Sequence, residues 1–271
     1  FFTVSINSSS SSSSSREQQE NTETEWQLVI FDVGQGLSVL VQQGSHGILY
    51  DTGAAYPSGF TMADAVILPY LQHSGLKHLD KMIISHSDND HAGGLTVIQN
   101  SMAINELIYN DKSSNSATCL QGESFVWQNL HFNMLWPKHH VSKDNDDSCV
   151  ILISDGKHSV LLTGDISKKV EKALIKQYPK LNPDIIVVPH HGSKTSSSEL
   201  FLSKLQPTLA VVSAGYLNRW HMPVTEVKRY QQHNIELLNT AESGQIKVIM
   251  SEQGISMQTY YRDLWPFWFA H

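Results

Sequence analysis

Ile83-Ile84-Ser85-His86-Ser87-Asp88-Asn89-Asp90-His91-Ala92-Gly93-Gly94 is the stretch whose reading decides the fold. Two apolar residues end a strand. Two His and two Asp then fall within six positions, and Ala92-Gly93-Gly94 opens what the pattern predicts as a helix. Imidazole and carboxylate are ligands for divalent transition metals. Four of them this close cannot all serve one ion comfortably, but on a tight strand-to-helix turn they can splay toward two. The alternative is a polar loop that happens to be rich in His and Asp. The density of ligand types favours a metal site held by His86, Asp88, Asp90 and His91.

Outward from this stretch, Leu79 to Ile84 reads as the strand before it and Leu95 to Asn100 as the helix after it. Upstream, Trp26 to Val33, Leu37 to Gln42 and Gly47 to Tyr50 read as strands, with Gly34-Gln35-Gly36 a turn. Residues 61–75 suggest a helix, which Pro69 prevents from being unbroken. Downstream, Leu107 to Tyr109, Phe125 to Trp127 and Leu130 to Trp136 are strand candidates. Val150 to Ile153 and Val160 to Thr163 flank an Asp155-Gly156 hairpin signal. A helix over Ile166 to Tyr178, strands at Ile185 to Val188 and Leu209 to Val212, and a helix over Glu226 to His233 follow. Ile246 to Met250 and Ile255 to Tyr260 are closing strands. Such an order predicts an α/β sandwich, two sheets face to face with helices outside.

The 271 residues, 40% of them hydrophobic and 17% charged, can bury a full core. A formal charge of −7 argues against a generally basic, DNA-coating surface. It leaves a nucleic-acid enzyme open, because bound metal ions would change the local field. Cys119 and Cys149 lack zinc-finger spacing and are either one disulfide or two buried thiols. No apolar run approaches the length that spans a bilayer. Residues 1–25, with serine unbroken from Ser8 to Ser15, have too little apolar surface to fold and read as a flexible linker or loop. Residues 26–271 then form the domain. Phe1-Phe2-Thr3-Val4 is too short for a signal peptide and lacks a methionine start, so the chain reads as excised from a longer one.

Further strand ends carry candidate groups. Asp51, before Thr52-Gly53, could orient a ligand, bind metal or simply cap a turn. Asp165, after Thr163-Gly164, could cap the next helix, but in a two-metal site it is the natural carboxylate to bridge both ions. Pro189-His190-His191-Gly192-Ser193 places paired histidines after a buried strand. Successive side chains diverge, so one of the pair can bind metal while the other hydrogen-bonds a substrate or acts as an acid. Ser193 could lend a hydroxyl to an anionic group. His221 is either an ordinary loop histidine or part of an anion site with Asn218 and Arg219. Asn145 to Ser148 is a turn or an outlying polar cluster.

Together, Asp51-Thr52-Gly53, His86-x-Asp88-x-Asp90-His91, Thr163-Gly164-Asp165 and His190-His191-Gly192-Ser193 resemble the metallo-β-lactamase fold in their order and strand-end positions. More narrowly, the chain from Trp26 onward is similar to the C-terminal domain of the ComEC-type DNA-uptake channel proteins of naturally competent bacteria. That likeness rests on Phe31-Asp32-Val33-Gly34-Gln35-Gly36, Ser85 to Gly94, Asn145 to Ser148 before a strand, Pro189 to Ser193, and His221-x-Pro223 before the last helix. One departure from the common metallo-β-lactamase motif is Asp88 where His is usual, and a third, isolated His ligand has no certain match. Harder oxygen ligands shift preference from zinc toward manganese.

The resemblance implies an αβ/βα sandwich of two mixed sheets and a metal-dependent phosphodiesterase that degrades the DNA strand not imported during transformation. Two divalent ions, Mn or Zn, would be held by His86, Asp88, Asp90, His91, Asp165 and one or both of His190 and His191. They would activate a water and stabilise charge on the attacking and leaving oxygens. Asp90 and His221 are the expected catalytic groups. Asp51 would hold a ligand histidine in its tautomer, with Asn145 and Ser148 also behind the ligands. Ser193, Lys194 and Arg219 would contact phosphate. The implied partners are single-stranded DNA, a membrane channel portion of the same full-length protein and other DNA-uptake proteins. The implied place is the periplasmic side of an inner membrane. The competing expectations are a hydrolase of small phosphodiesters or lactones and a non-catalytic module that guides DNA.

Overall fold

A computed structural model describes residues 25–109, 116–139, 145–216, 221–223 and 227–264. The serine-rich segment 1–25 therefore lies, but for Glu25, outside the described residues, as do Asn218 and Arg219. Alternating and fully apolar runs form two seven-stranded sheets. The first is built around β1 (Trp26–Ile30), β2 (Val39–Gln43), β3 (His46–Tyr50), β4 (His78–Ile84) and β5 (Ala103–Tyr109). The second contains β6 (Ser124–Trp127), β7 (Leu130–Trp136), β8 (Val150–Ser154), β9 (Ser159–Leu162), β10 (Ile185–Val187), β11 (Leu209–Val212) and β12 (Glu236–Asn239). The closing hairpin, β13 (Ile246–Ser251) and β14 (Gly254–Thr259), returns to the first sheet beside β1.

The two sheets repeat one pairing pattern. β1, β2 and β3 are antiparallel neighbours, and β3, β4 and β5 are parallel. In the second sheet β7, β8 and β9 are antiparallel, and β9, β10 and β11 are parallel. Parallel strands bring their carboxyl ends to one edge, where α/β sheets commonly bind ligands. The four segments that leave β3, β4, β9 and β10 hold Asp51, His86 to His91, Asp165 and His190-His191. The repeated pairing places all four at corresponding strand ends.

Three apolar layers hold the sandwich. Side chains such as Leu28, Tyr50 and Ile83 from the first sheet meet Phe132, Ile151 and Val187 from the second in one buried cluster. On the outer face of the first sheet, Ile67 and Leu71 pack with Leu49 and Met82. They belong to a π-helical turn, Ala63–Ile67, continued by α1 (Leu68–His73). Pro69, which has no amide hydrogen, sits in the first turn of α1, so the break predicted there is present. On the far face, Val170 and Leu174 of α4 (Lys168–Gln177) and Phe201 and Leu202 of α5 (Glu199–Leu205) cover Leu161 and Ile186.

The helix after the opening motif begins earlier than Ala92. α2 spans Asn89–Ala92 with Asp88 at its N-cap, and Gly93-Gly94 separates it from α3 (Leu95–Ser101). β12 and α5 were not expected. β12 is a half-exposed edge strand with no clean alternation, and α5 is started by Ser198, whose hydroxyl accepts from the Phe201 amide inside a serine-rich run. Cys119 and Cys149 form a disulfide, which decides between the two open alternatives. Both are fully buried in the inter-sheet layer. Cys149 also ties the sheets through its backbone, donating to the Ser85 carbonyl at 2.9 Å and accepting from the Tyr50 hydroxyl at 2.6 Å.

Candidate metal centre

Asp51 is fully buried, with φ +60°, directly after β3. Its Oδ1 accepts the Ser85 amide at 2.7 Å, and its Oδ2 accepts the Ser85 hydroxyl and stands 2.7 Å from His91 Nδ1. The next residue, Thr52, donates both its amide and its hydroxyl to the His91 carbonyl, at 2.7 and 2.9 Å. The Asp-Thr pair thus holds the ring and the backbone of one histidine. Because a carboxylate can only accept, Nδ1 of His91 is the donor and Nε2 points the other way, toward Asp165 Oδ1 at 3.0 Å.

His191 is oriented in the same manner. Its Nδ1 lies 2.9 Å from the Ser213 carbonyl, which leaves Nε2 facing Asp90 Oδ2 at 3.4 Å and Asp165 Oδ2 at 3.6 Å. His86 repeats it. Its Nδ1 lies 3.0 Å from Ser85 Oγ and 3.4 Å from Ser148 Oγ, and those hydroxyls already spend their hydrogens on Asp51 and on the Asn145 carbonyl. His86 Nε2 is buried without a hydrogen bond, as is Asp165 Oδ1. Three imidazoles therefore each donate Nδ1 to an outer acceptor and direct Nε2 inward, the arrangement that metal-ligating histidines adopt.

The inward atoms converge. One atom each from Asp90, His91, Asp165 and His191 lies within 4.8 Å of the others. Nε2 of His91 and Nε2 of His191 are 3.2 Å apart, so a positive charge is required between two lone pairs that would otherwise oppose each other. The protonation equilibria say the same. Burial disfavours the His91 imidazolium, yet the charges of Asp165 and Asp51 hold its pKa well above the ordinary value. Burial pushes the Asp165 carboxyl up, and the charges of His91 and His191 bring it well below the usual carboxylate range. A divalent cation satisfies the same field. The donor set and the buried atoms without hydrogen bonds both fit a metal.

His86 and Asp88 stand outside this group of four. The His86 ring lies 4.2 Å from that of His91, and His86 Nε2 faces Asp88 Oδ2 at 3.6 Å. Asp88 leaves its carboxylate uncommitted as an N-cap, because only its backbone carbonyl accepts from the helix. His190 is the looser of its pair, with Nε2 3.7 Å from Asp165 Oδ2 and Nδ1 beside the Thr195 hydroxyl at 3.2 Å. Both histidines hold positive φ, 53° and 52°, and their ring planes stand 78° to each other. Asp51, His190, His191 and His221 are among the eight non-glycine residues with positive φ in the described part of the chain, a strain that concentrates at functional sites.

Ser148 caps this arrangement from behind, accepting the Asp165 amide at 3.0 Å. Asn145 enters through its carbonyl. The Gly34-Gln35-Gly36 turn closes the other flank. A Cβ on Gly36, at φ +148°, would stand 2.5 Å from the Asp90 carbonyl, which also accepts the Leu37 amide. Ser193 is buried, its hydroxyl 3.1 Å from that of Thr195. Lys194 is exposed on the same loop. His221 is exposed and makes no hydrogen bond or ion pair among the described residues, but its neighbour Met222 meets Gln35 Nε2 at 3.7 Å, and Gly192 faces Pro223 so closely that a Cβ would come within 2.8 Å. Sequence reasoning missed Ser85 and Ser213, whose contacts set the tautomers. Ser85 lay inside the motif, whereas the Ser213 carbonyl left no trace in side-chain chemistry.

Residues 31–122 match the model of the metallo-beta-lactamase superfamily. The chain is 43% identical over 251 residues to Recombination protein 2 of Haemophilus influenzae, covering 90% of this chain and 31% of that protein. It is 34% identical over 250 residues to Competence protein ComA of Neisseria gonorrhoeae, covering 90% and 35% respectively. The chain thus spans about a third of the length of these curated relatives. Among solved structures, the metallo-beta-lactamase fold protein YhfI from Bacillus subtilis superposes with a TM-score of 0.53 at 15% identity, covering 79% of this chain and 96% of that one, a likeness of fold. The paired mixed sheets, the strand-end His/Asp set and these matches agree: the chain carries a metallo-β-lactamase superfamily domain and is a homologue of Recombination protein 2 and Competence protein ComA.

Proposed function

We propose that this domain is a metal-dependent phosphodiesterase that cuts single-stranded DNA within a DNA-uptake protein. The observation that carries the reading is the inward turn of His91 and His191 Nε2 onto the buried Asp165 carboxylate, with the His86 ring 4.2 Å from that of His91 and its Nε2 buried without a hydrogen bond. Asp90, His91, His191 and Asp165 would hold one divalent ion, and His86, Asp88 and the shared Asp165 a second, with His190 beside it. Bound there, Mn or Zn would supply Lewis acidity toward a phosphodiester and a more acidic water. Asp51 keeps His91 in its tautomer, and Ser148 positions Asp165 and His86. Asp90, with a third of its side chain exposed, can take a proton at Oδ2 from water arriving from solvent. Ser193, Lys194, Arg219 and His221 are assigned to the phosphate and the leaving group.

Competence relatives support a role in DNA uptake, with a channel portion of the full-length protein and other uptake proteins as partners. Unpaired bases also find exposed rings. Tyr56 and Phe60, with centroids 5.7 Å apart, stand on a hairpin that Asn89 of α2 holds through the Ala55 carbonyl. The buried disulfide supports an oxidising compartment such as the periplasm. Among the described residues no helix is long and apolar enough to cross a membrane. The test is digestion of single-stranded DNA with Mn²⁺ or Zn²⁺, beside Asp90→Ala and Asp165→Ala. Metal-dependent cleavage lost in both variants is expected. Cleavage that survives both would overturn the reading, and turnover of small diesters alone would reassign the substrate.

A further inference from the structure

Seven lysines fall between residues 168 and 204, at 168, 169, 172, 176, 180, 194 and 204, in a chain whose net charge is −7. Only three acids stand against them in that stretch: Glu171, buried on the Ser197 and Ser198 amides, Asp184, which accepts from Ser159, and Glu199, 2.6 Å from His233. Between α4 and α5 lies a cleft of about 310 Å³. Its walls are Ile175, Pro179 and Leu200, and Lys172, Lys176 and Lys204 also line it. Leu200 is 48% exposed there. An apolar cleft lined by cations suits an amphipathic anion, one flat apolar part carrying phosphate.

The helix that walls the cleft starts beside the candidate metal centre. The Lys168 amide donates to the Thr195 carbonyl at 2.9 Å, and Thr195 Oγ1 lies 3.2 Å from His190 Nδ1. The start of α4 therefore abuts the histidine loop. At the helical rise, Lys172 and Lys176 stand about 6 and 12 Å farther along, on the face of Lys168. That step is comparable to the spacing of neighbouring phosphates in an extended single strand. A duplex has no unpaired base to place on the apolar wall.

We propose that the cleft between α4 and α5 seats a nucleotide of the single strand that reaches the metal centre, base on Ile175, Pro179 and Leu200, phosphates on Lys172, Lys176 and Lys204. This rests on the phosphodiesterase reading for its direction but is tested by binding alone. The measurement is fluorescence anisotropy of labelled oligothymidylate on the whole chain in EDTA, across a salt series. For the Lys172→Gln/Lys176→Gln/Lys204→Gln variant, the slope of log affinity against log salt becomes shallower by about 2, from roughly 0.7 per single-strand phosphate contact. An abasic strand of equal length binds wild type more weakly than oligothymidylate, and Leu200→Glu removes that difference.

An unchanged slope would overturn the proposal. So would a triple variant that loses binding to phosphatidylglycerol vesicles while keeping its DNA affinity, since the cleft would then face a lipid surface. Hydrolysis of bis-para-nitrophenyl phosphate with Mn²⁺ or Zn²⁺ separates the two readings. It is expected unchanged in the triple variant. A wild type that shows the slope effect but hydrolyses no diester would retain the cleft as a strand-binding site and sink the phosphodiesterase.

Discussion

Strand β4 carries His-x-Asp at both ends, His78-Leu79-Asp80 where it starts and His86-Ser87-Asp88 just past its close. At the first, Asp80 Oδ1 meets His78 Nε2 at 3.1 Å. Its Oδ2 is shared by His46 Nδ1 and Trp127 Nε1, each at 3.0 Å. Trp127 comes from the second sheet, so this network clasps the sandwich. The two imidazoles are 43% and 38% exposed and can exchange with water. At the second, the His86 side chain is 2% exposed and its Nε2 has no hydrogen bond. The ligand residues of the two triplets are identical. What separates them is saturation: a satisfied network leaves a cation no lone pair, whereas a buried unsatisfied one costs stability until something fills it.

The largest effect that can break this comparison is loss of a shared ligand. Asp165→Ala or Asp90→Ala should lower metal-dependent diester hydrolysis well beyond roughly 100-fold, more than outer positions are worth, while Asp80→Ala leaves it unchanged. Next is the disulfide, which closes a 30-residue separation beside the buried triplet. Replacing Cys119 and Cys149 with Ala should cost roughly 3–4 kcal/mol in chemical denaturation, on the chain-entropy account. Asp51→Asn should follow, weakening metal affinity by roughly 10–100-fold in a calorimetric titration because His91 loses its tautomer partner.

The smallest effect falls on the exposed triplet. Asp80→Ala should lower stability by about 1–3 kcal/mol through the lost hydrogen bonds, without touching metal affinity. Its pH dependence has a definite sign. Burial pushes the Asp80 carboxyl up, but hydrogen bonds from Trp127 and His46 bring it below its usual value. A depressed carboxylate stabilises the fold above its unfolded pKa of about 3.9, and that contribution disappears as pH falls below it. The wild-type minus Asp80→Ala difference should therefore shrink in strong acid.

Why one triplet was legible and the other not follows from what a sequence displays. His86 to His91 packs four ligand residues, two His and two Asp, between a strand and glycines, so density alone marked it. Nothing in His78-Leu79-Asp80 tells that Trp127, 47 residues away, saturates it. The order of strands and the strand-end acids was readable because apolar runs and turns are local. The choice between His190 and His191 was not, since it depends on two consecutive left-handed residues and on the Ser213 carbonyl. The α4–α5 cleft was equally hidden, because residues 199–205 were assigned to no element.

Metal content tests the central claim most directly. Wild type, Asp80→Ala and Asp165→Ala would be equilibrated with Mn²⁺ or Zn²⁺, desalted and measured by atomic emission. About two ions per chain are predicted for wild type and Asp80→Ala, with a clear loss in Asp165→Ala. Metal that survives Asp165→Ala but leaves with Asp80→Ala, or a wild type that retains none, would contradict the account.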